Sequence, residues 1–326
     1  MKKVGELREV KFEVTASCNH SCSFCFNKNA FAQKGRFFQE LSTQDAFKVI
    51  DNTAESAVET IRFTGGEPLM RSDLVKLCKY AKANNLRVRL NSNGSFFNKR
   101  LLLEVSRFAD EVFFPLHALD AVEDFGKTGL KGAFKRKISA MKALLASGVK
   151  VRAGTIASRD NILRLEDFAR LAENCCDQWF MLRPIPTAGN KHSMDFEDVK
   201  ALAVKLETLA IDCKMYHAVP FCSTPNMKMS KVSVGAMYCG PLYNLVVRPN
   251  GVIAPCYSIN ENLGNALHDS IREVWEAHPF VKKSRELGFL PKKCQACSFK
   301  EVCAGGCRFA AKICNGTYSS KDPLMP

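Results

Sequence analysis

Three cysteines stand close together near the start of the chain, in the stretch CNHSCSFC: Cys18, Cys22 and Cys25, spaced C-x3-C-x2-C, with no fourth cysteine nearby. Thiolates are soft ligands that suit zinc and iron–sulfur centres. A structural zinc site closes with four protein ligands, and a [4Fe–4S] cluster normally takes one cysteine on each of its irons. Three cysteines leave one metal position open, and an open position can bind a small molecule. A second cysteine field lies far downstream. It reads Cys239-x11-Gly251-x4-Cys256, then Cys294-x2-Cys297-x5-Cys303-x3-Cys307, with Cys222 ahead of it and Cys314 behind.

Such residues need a scaffold that brings loops together. The first 190 or so residues alternate short apolar runs with amphipathic ones, the pattern of repeated βα units. Strands are predicted at EVKFEVT (9–15), ETIRFTG (59–65), RVRLNS (87–92), EVFFPL (111–116), KVRAGTI (150–156) and WFMLRP (179–184). Helices are predicted between them, starting at polar residues such as Ser42 and Ser72. Six units imply a partial (β/α)6 TIM-like barrel, an α/β fold whose active site gathers at the C-terminal strand ends. The segments at those ends read CNHSC, GGEP, NSNG, HALD, SRDN and PIPTAGN, rich in glycine, proline and small polar residues. That is the chemistry of loops that approach a ligand closely. We expect the barrel over 1–190, a linker helix over 191–215 and a small cysteine-rich domain over 216–326.

The CNHSCSFC spacing resembles that of the radical S-adenosylmethionine (SAM) superfamily. The resemblance implies a [4Fe–4S] cluster on Cys18, Cys22 and Cys25 whose open iron chelates SAM. It further implies reductive cleavage of SAM to a 5′-deoxyadenosyl radical, which removes a hydrogen atom from a substrate. Phe24 falls at the aromatic place the superfamily uses near the adenine. TGGEPLM (64–70) resembles the glycine motif, in which Gly65 and Gly66 let backbone reach the ligand while Glu67 and Pro68 fix the turn. NSNG (91–94) resembles the ribose-side motif and makes Ser92 and Asn93 sugar contacts. Pro115 stands where many relatives carry a serine, so Arg152 is the candidate for the carboxylate contact; an arginine with a purely structural role is the alternative. His20 and His117 are read as satisfied by nearby backbone.

The second field is similar to the SPASM domain, the auxiliary iron–sulfur extension of these enzymes, which implies one or two further [4Fe–4S] clusters. On that pattern Cys239, Cys256 and Cys307 hold the first and Cys294, Cys297 and Cys303 the second. Cys222 either closes the first cluster or is a free thiol that returns hydrogen to a substrate radical. Relatives often end in a closing cysteine, and this chain has Met325 there, so Cys314, or less well Asp322, is the candidate substitute; with neither, the second cluster has an open iron or is absent. C-x2-C pairs also suit tetrahedral zinc, which is the rival reading. Cys78, Cys175, Cys176 and Cys213 read as core thiols.

The chain has 326 residues, 15 of them cysteine, and a formal net charge of +14. No apolar run is long enough for a signal peptide or a membrane span, so a cytoplasmic protein without disulfides is expected. Basic residues are scattered and not interleaved with aromatics, which argues against nucleic acid. The family resemblance implies a peptide or protein substrate and a reducing partner of flavodoxin or ferredoxin type. With 17 residues ahead of Cys18, a separate recognition protein or the barrel surface would have to bind any leader peptide. The alternatives are a small-molecule substrate, a tetrapyrrole side chain or an aminocyclitol, and a non-catalytic iron–sulfur or zinc protein.

Overall fold

The computed structural model describes residues 5–25, 39–186, 194–209, 213–224, 232–234 and 240–326. Its centre is one eleven-stranded sheet in the order β11-β10-β9-β1-β2-β3-β4-β5-β6-β7-β8, which is not closed into a full barrel. The six expected strands are β1 (Glu9–Thr15), β2 (Thr60–Gly65), β3 (Arg87–Asn91), β4 (Glu111–Pro115), β5 (Lys150–Ile156) and β6 (Gln178–Leu182). They pair in parallel with their chain neighbours. The parallel run then continues through β7 (Cys213–Val219) and β8 (Val232–Val234), two strands beyond the six units. On the opposite edge, β9 (Asn244–Val247) lies parallel to β1, followed by β10 (Val252–Ala254) and β11 (Gly264–Asn265) in antiparallel order. The cysteine-rich region thus continues the barrel's own sheet.

Successive strand residues point to opposite faces, and the two faces differ sharply. Val10, Phe12, Ile61, Phe63, Val88, Leu90, Val112 and Phe114 are fully buried and form the core. The alternate residues carry charge. Arg62 lies 3.0 Å from Glu9 and 3.8 Å from Glu111, Arg89 contacts the same two carboxylates at 3.0 and 3.5 Å, and Arg152 lies 3.2 Å from Glu111. Burial pushes the Glu9 carboxyl up, but Arg62, Lys11 and Arg89 outweigh it and hold it at about 2.

Helices cover the apolar face. Ser42 caps the helix Thr43–Glu55 by accepting from the Asp45 N–H at 3.1 Å, which fixes its first turn. The helix Phe196–Thr208 opens with a capping box between Asp195 and Asp198. Among the described residues no helix is long and apolar enough to cross a membrane.

Candidate functional site

β1 runs straight into the cysteine loop, and β2 ends beside it. The Gly66 N–H donates to the Thr15 carbonyl at 2.9 Å, and the Glu67 N–H donates to the Ser17 carbonyl at 2.7 Å. A Cβ on Gly65 would stand 2.2 Å from the Thr15 oxygen, and one on Gly66 2.2 Å from the Ser17 oxygen. Only glycine lets the two loops zip together this closely.

Glu67 organises the third loop. Its buried carboxylate accepts from the Ser92 hydroxyl at 2.9 Å, the Asn93 N–H at 2.7 Å and the Leu69 N–H at 3.1 Å. The last bond caps the short turn Pro68–Met70. Burial pushes the Glu67 carboxyl up to about 7, while these hydrogen bonds pull it down. Asn93 then reaches the cysteine loop: its amide donates to Asn19 Oδ1 at 2.8 Å and lies 3.9 Å from the Cys18 sulfur. The His20 N–H donates to the same sulfur at 3.4 Å.

Residues the motifs did not single out hold the loop from below. Ser95 Oγ sits 2.9 Å from both Asn19 Nδ2 and His20 Nε2. The Ser21 and Ser23 N–H groups donate to the Thr128 and Lys127 carbonyls at 2.9 and 3.2 Å. Those carbonyls end the helix Ala121–Thr128, whose buried Asp124 meets Lys137 at 2.7 Å. No sequence motif marks these partners, because they are backbone groups or ordinary polar residues joined only by the fold.

Phe24 packs edge-on to His117, their rings 4.8 Å apart. His117 accepts from the Ile156 N–H at 3.2 Å, and burial with nearby Lys137 and Lys127 holds it near 3, so it stays neutral. Pro115 ends β4. Arg152, third residue of β5, has Glu111 beside it in the charged face of the sheet.

The second field divides into two groups. Cys256 and Cys307 line one apolar cavity of about 50 Å³ with Leu242, Ile259 and Phe280. Burial pushes the Cys256 thiol up to about 11, with Cys307 as the next contributor. Cys239 lies outside the described residues. Gly240, which follows it, packs so tightly that a Cβ there would come within 2.9 Å of Cys256 Cβ. Cys294, Cys297 and Cys303 form the other group: Cys294 ends the turn Lys292–Cys294, Cys303 ends the short helix Lys300–Cys303, and Cys297 lies in the loop between them. Cys222 follows Phe221, whose N–H donates to the Cys303 sulfur at 3.5 Å; burial raises the Cys222 thiol, with Cys303 and Cys294 as the next influences. Cys314 sits in the helix Arg308–Asn315, seven residues past its cap Cys307, or about 10 Å along the axis. Asp322 is fully buried and bonded to Arg183 at 2.8 Å through both oxygens. Of the remaining thiols, Cys78, Cys175 and Cys213 are buried in the core and Cys176 packs against it.

The donor chemistry fits iron–sulfur clusters. Cys18, Cys22 and Cys25 share one loop whose thiols sense each other; burial pushes Cys22 up to about 12, with Cys25 and Cys18 adding to it. A cationic metal centre would hold such thiols as thiolates.

Comparison with known proteins agrees with this geometry. The Radical SAM superfamily model matches residues 12–172, and the SPASM iron–sulfur cluster-binding domain model matches residues 239–298. An AdoMet-dependent heme synthase of Oleidesulfovibrio alaskensis is 27% identical over 347 aligned positions, spanning 97% of this chain and 86% of that protein. A PqqA peptide cyclase of Gluconobacter oxydans is 26% identical, spanning 96% of this chain and 88% of that one. Streptococcus suis SuiB superposes with a TM-score of 0.77 at 18% identity, over 99% of this chain and 78% of SuiB. Native anSMEcpe with bound AdoMet gives 0.74 at 15% identity, over 98% of this chain and 93% of that one. Two family models in this order, on a fold that brings their cysteines to loops, identify the chain as a radical SAM enzyme with a C-terminal SPASM domain, whose cofactors are SAM and iron–sulfur clusters.

Proposed function

We propose that this enzyme modifies a ribosomally made peptide or protein, forming a cross-link or thioether, inverting a centre or oxidising a side chain. The observation that carries this reading is the likeness to the PqqA peptide cyclase across 96% of the chain. The shared fold with SuiB, solved with its precursor peptide SuiA, supports it. A net charge of +14 suits both an acidic peptide and an acidic flavodoxin- or ferredoxin-type electron donor.

Cys18, Cys22 and Cys25 would hold the cluster, which would supply the electron for reductive cleavage of SAM. The chain's own residues decide where SAM sits and what the radical meets. Gly65, Gly66, Glu67 and Pro68 would offer backbone groups to its amino end, and Ser92 and Asn93 would serve its sugar side. Phe24, braced by His117, would serve its adenine. Arg152 would serve its carboxylate, since Pro115 has no hydroxyl to give. Cys239, Cys256 and Cys307, and Cys294, Cys297 and Cys303, would hold the auxiliary clusters.

The test is anaerobic incubation of the reconstituted enzyme with SAM, reductant and short peptides encoded beside its gene, read by peptide mass. A modified peptide establishes the reading. Cleavage of SAM with every such peptide unchanged overturns it. The second reading, action on tetrapyrrole side chains, rests on the 27% identity to the heme synthase and predicts altered tetrapyrrole absorbance in the same assay.

A further inference from the structure

We infer that Cys222 is the fourth protein ligand of the auxiliary cluster on Cys294, Cys297 and Cys303, in place of the closing thiol at the position where Met325 stands. The inference rests on the assignment of that cysteine group to an iron–sulfur cluster, and it is independent of the substrate.

Three contacts place the turn Phe221–Ser223 against this group. The Phe221 N–H donates to the Cys303 sulfur at 3.5 Å. The Phe221 ring lies 5.2 Å from that of Phe299, which sits between Cys297 and Cys303 in the chain. The Ser223 hydroxyl donates to the Leu324 carbonyl, next to Met325. Cys222 is the middle residue of this turn, between the residue that bonds the Cys303 sulfur and the one that bonds the tail.

The tail offers no competing ligand. Met325 is a buried thioether, a poor match for an iron that normally takes thiolate. Asp322 has spent its carboxylate: it accepts from Arg183 twice, from the Cys307 N–H at 2.6 Å and from the Leu324 N–H at 2.8 Å. Cys222 docks where the tail would otherwise deliver its sulfur. This assignment leaves Cys239, Cys256 and Cys307 as a trio, and it removes Cys222 as a free hydrogen donor.

The experiment uses the full chain with Cys18, Cys22 and Cys25 replaced by alanine, so that only auxiliary clusters contribute. Iron, sulfide and the electron paramagnetic resonance spectrum are compared for this parent and for added Cys222→Ala, Cys222→Ser or Cys314→Ala. We expect the Cys222 variants to lose roughly one to four irons per chain and to change one cluster's spectrum, with Cys314→Ala unchanged. Full iron and an unaltered spectrum in Cys222→Ala, or the loss appearing in Cys314→Ala, overturns the assignment. Anaerobic alkylation of the unsubstituted protein covers a variant that fails to fold. Cys222 should be protected when iron is loaded and labelled after chelation; labelling in the loaded protein also overturns the assignment. None of these readouts depends on peptide modification.

Discussion

Arg183 grips Asp322 with two parallel hydrogen bonds of 2.8 Å, across 139 residues of sequence. Both side chains are almost wholly buried, and Asp322 also receives the Cys307 N–H at 2.6 Å. One ion pair therefore ties the end of β6 to the C-terminal tail and to the backbone of Cys307. Removing one partner strands the other charge in a dry site, which costs about 3–5 kcal/mol. Asp322→Ala should lose about that much in urea unfolding, and Arg183→Met with Asp322→Leu should lose less. Equal loss in both would show that packing, not the stranded charge, sets the effect.

Ligand removal separates the cofactor from the fold. Cys18, Cys22 and Cys25 sit on a loop, while the buried core lies among the strands and helices. Replacing any of the three with alanine should abolish SAM cleavage to 5′-deoxyadenosine and leave the unfolding midpoint of the iron-free protein within about 0.5 kcal/mol of the parent. A large loss of stability in the iron-free variants would mean that the loop is part of the core.

The close approach of Gly66 to Ser17 gives a second handle. An added methyl at Gly66 meets backbone oxygen at 2.2 Å and must push the loops apart, an overpacking cost of about 1–3 kcal/mol. Gly66→Ala should lower both stability and the iron bound at the first cluster. Gly126→Ala makes the contrast: nothing lies within 4 Å of a Cβ there, in mid-helix, so it should stabilise by about 0.5–1 kcal/mol. Normal iron loading in Gly66→Ala would show that the zipped loops are not required.

How much of this was readable in the sequence depends on the range of each interaction. β1 and β5 fall at the predicted residues, because alternation of apolar and polar side chains is local and strong there. The C-x3-C-x2-C loop was legible for the same reason. β7 and β8 were not: they follow the helix Phe196–Thr208 in a stretch whose composition changes, and their pairing with β6 is set by tertiary contact. The run YNLVVRPNGVIAPC is itself strand-like, but the pairing of β9 with β1, more than two hundred residues earlier, is again set by tertiary contact. Cys222 shows the limit most clearly. The sequence left open whether Cys222 closes the first auxiliary cluster or stays a free thiol, whereas the contact of its neighbour Phe221 with the Cys303 sulfur is made only by the fold.

Acid should loosen the support beneath the cysteine loop. The Glu123 carboxyl is held at about 2: partial burial raises it, and Arg164, Lys127 and the Leu119 N–H more than reverse that. A carboxyl depressed in the folded state stabilises above its ordinary range near 4.5, and the contribution fades as pH falls toward about 2. Since the group is partly exposed, solvent screening keeps the effect near 1 kcal/mol. The parent should lose that increment between pH 5 and 2, in ~0.1 M salt, and Glu123→Gln should lack it at every pH. Parallel stability curves for the two proteins would remove Glu123 from the account.

Glu111 and Arg152 test the charged face of the sheet. Glu111 is 1% exposed and lies within 4 Å of Arg62, Arg89 and Arg152, so its single charge opposes three. Glu111→Gln leaves those guanidinium groups facing one another with only Glu9 to balance them, and should cost about 3–5 kcal/mol. Arg152→Gln removes one of the crowding cations, so stability should change by less than about 1 kcal/mol. If Arg152 also serves the SAM carboxylate, the same substitution loses a charge-assisted hydrogen bond of about 1.5–3 kcal/mol, or roughly 10- to 150-fold in SAM affinity. Calorimetric titration of SAM into the iron-loaded variant separates the two roles. Unchanged affinity assigns Arg152 to the ion network alone, and weakened affinity without loss of stability assigns it to the ligand.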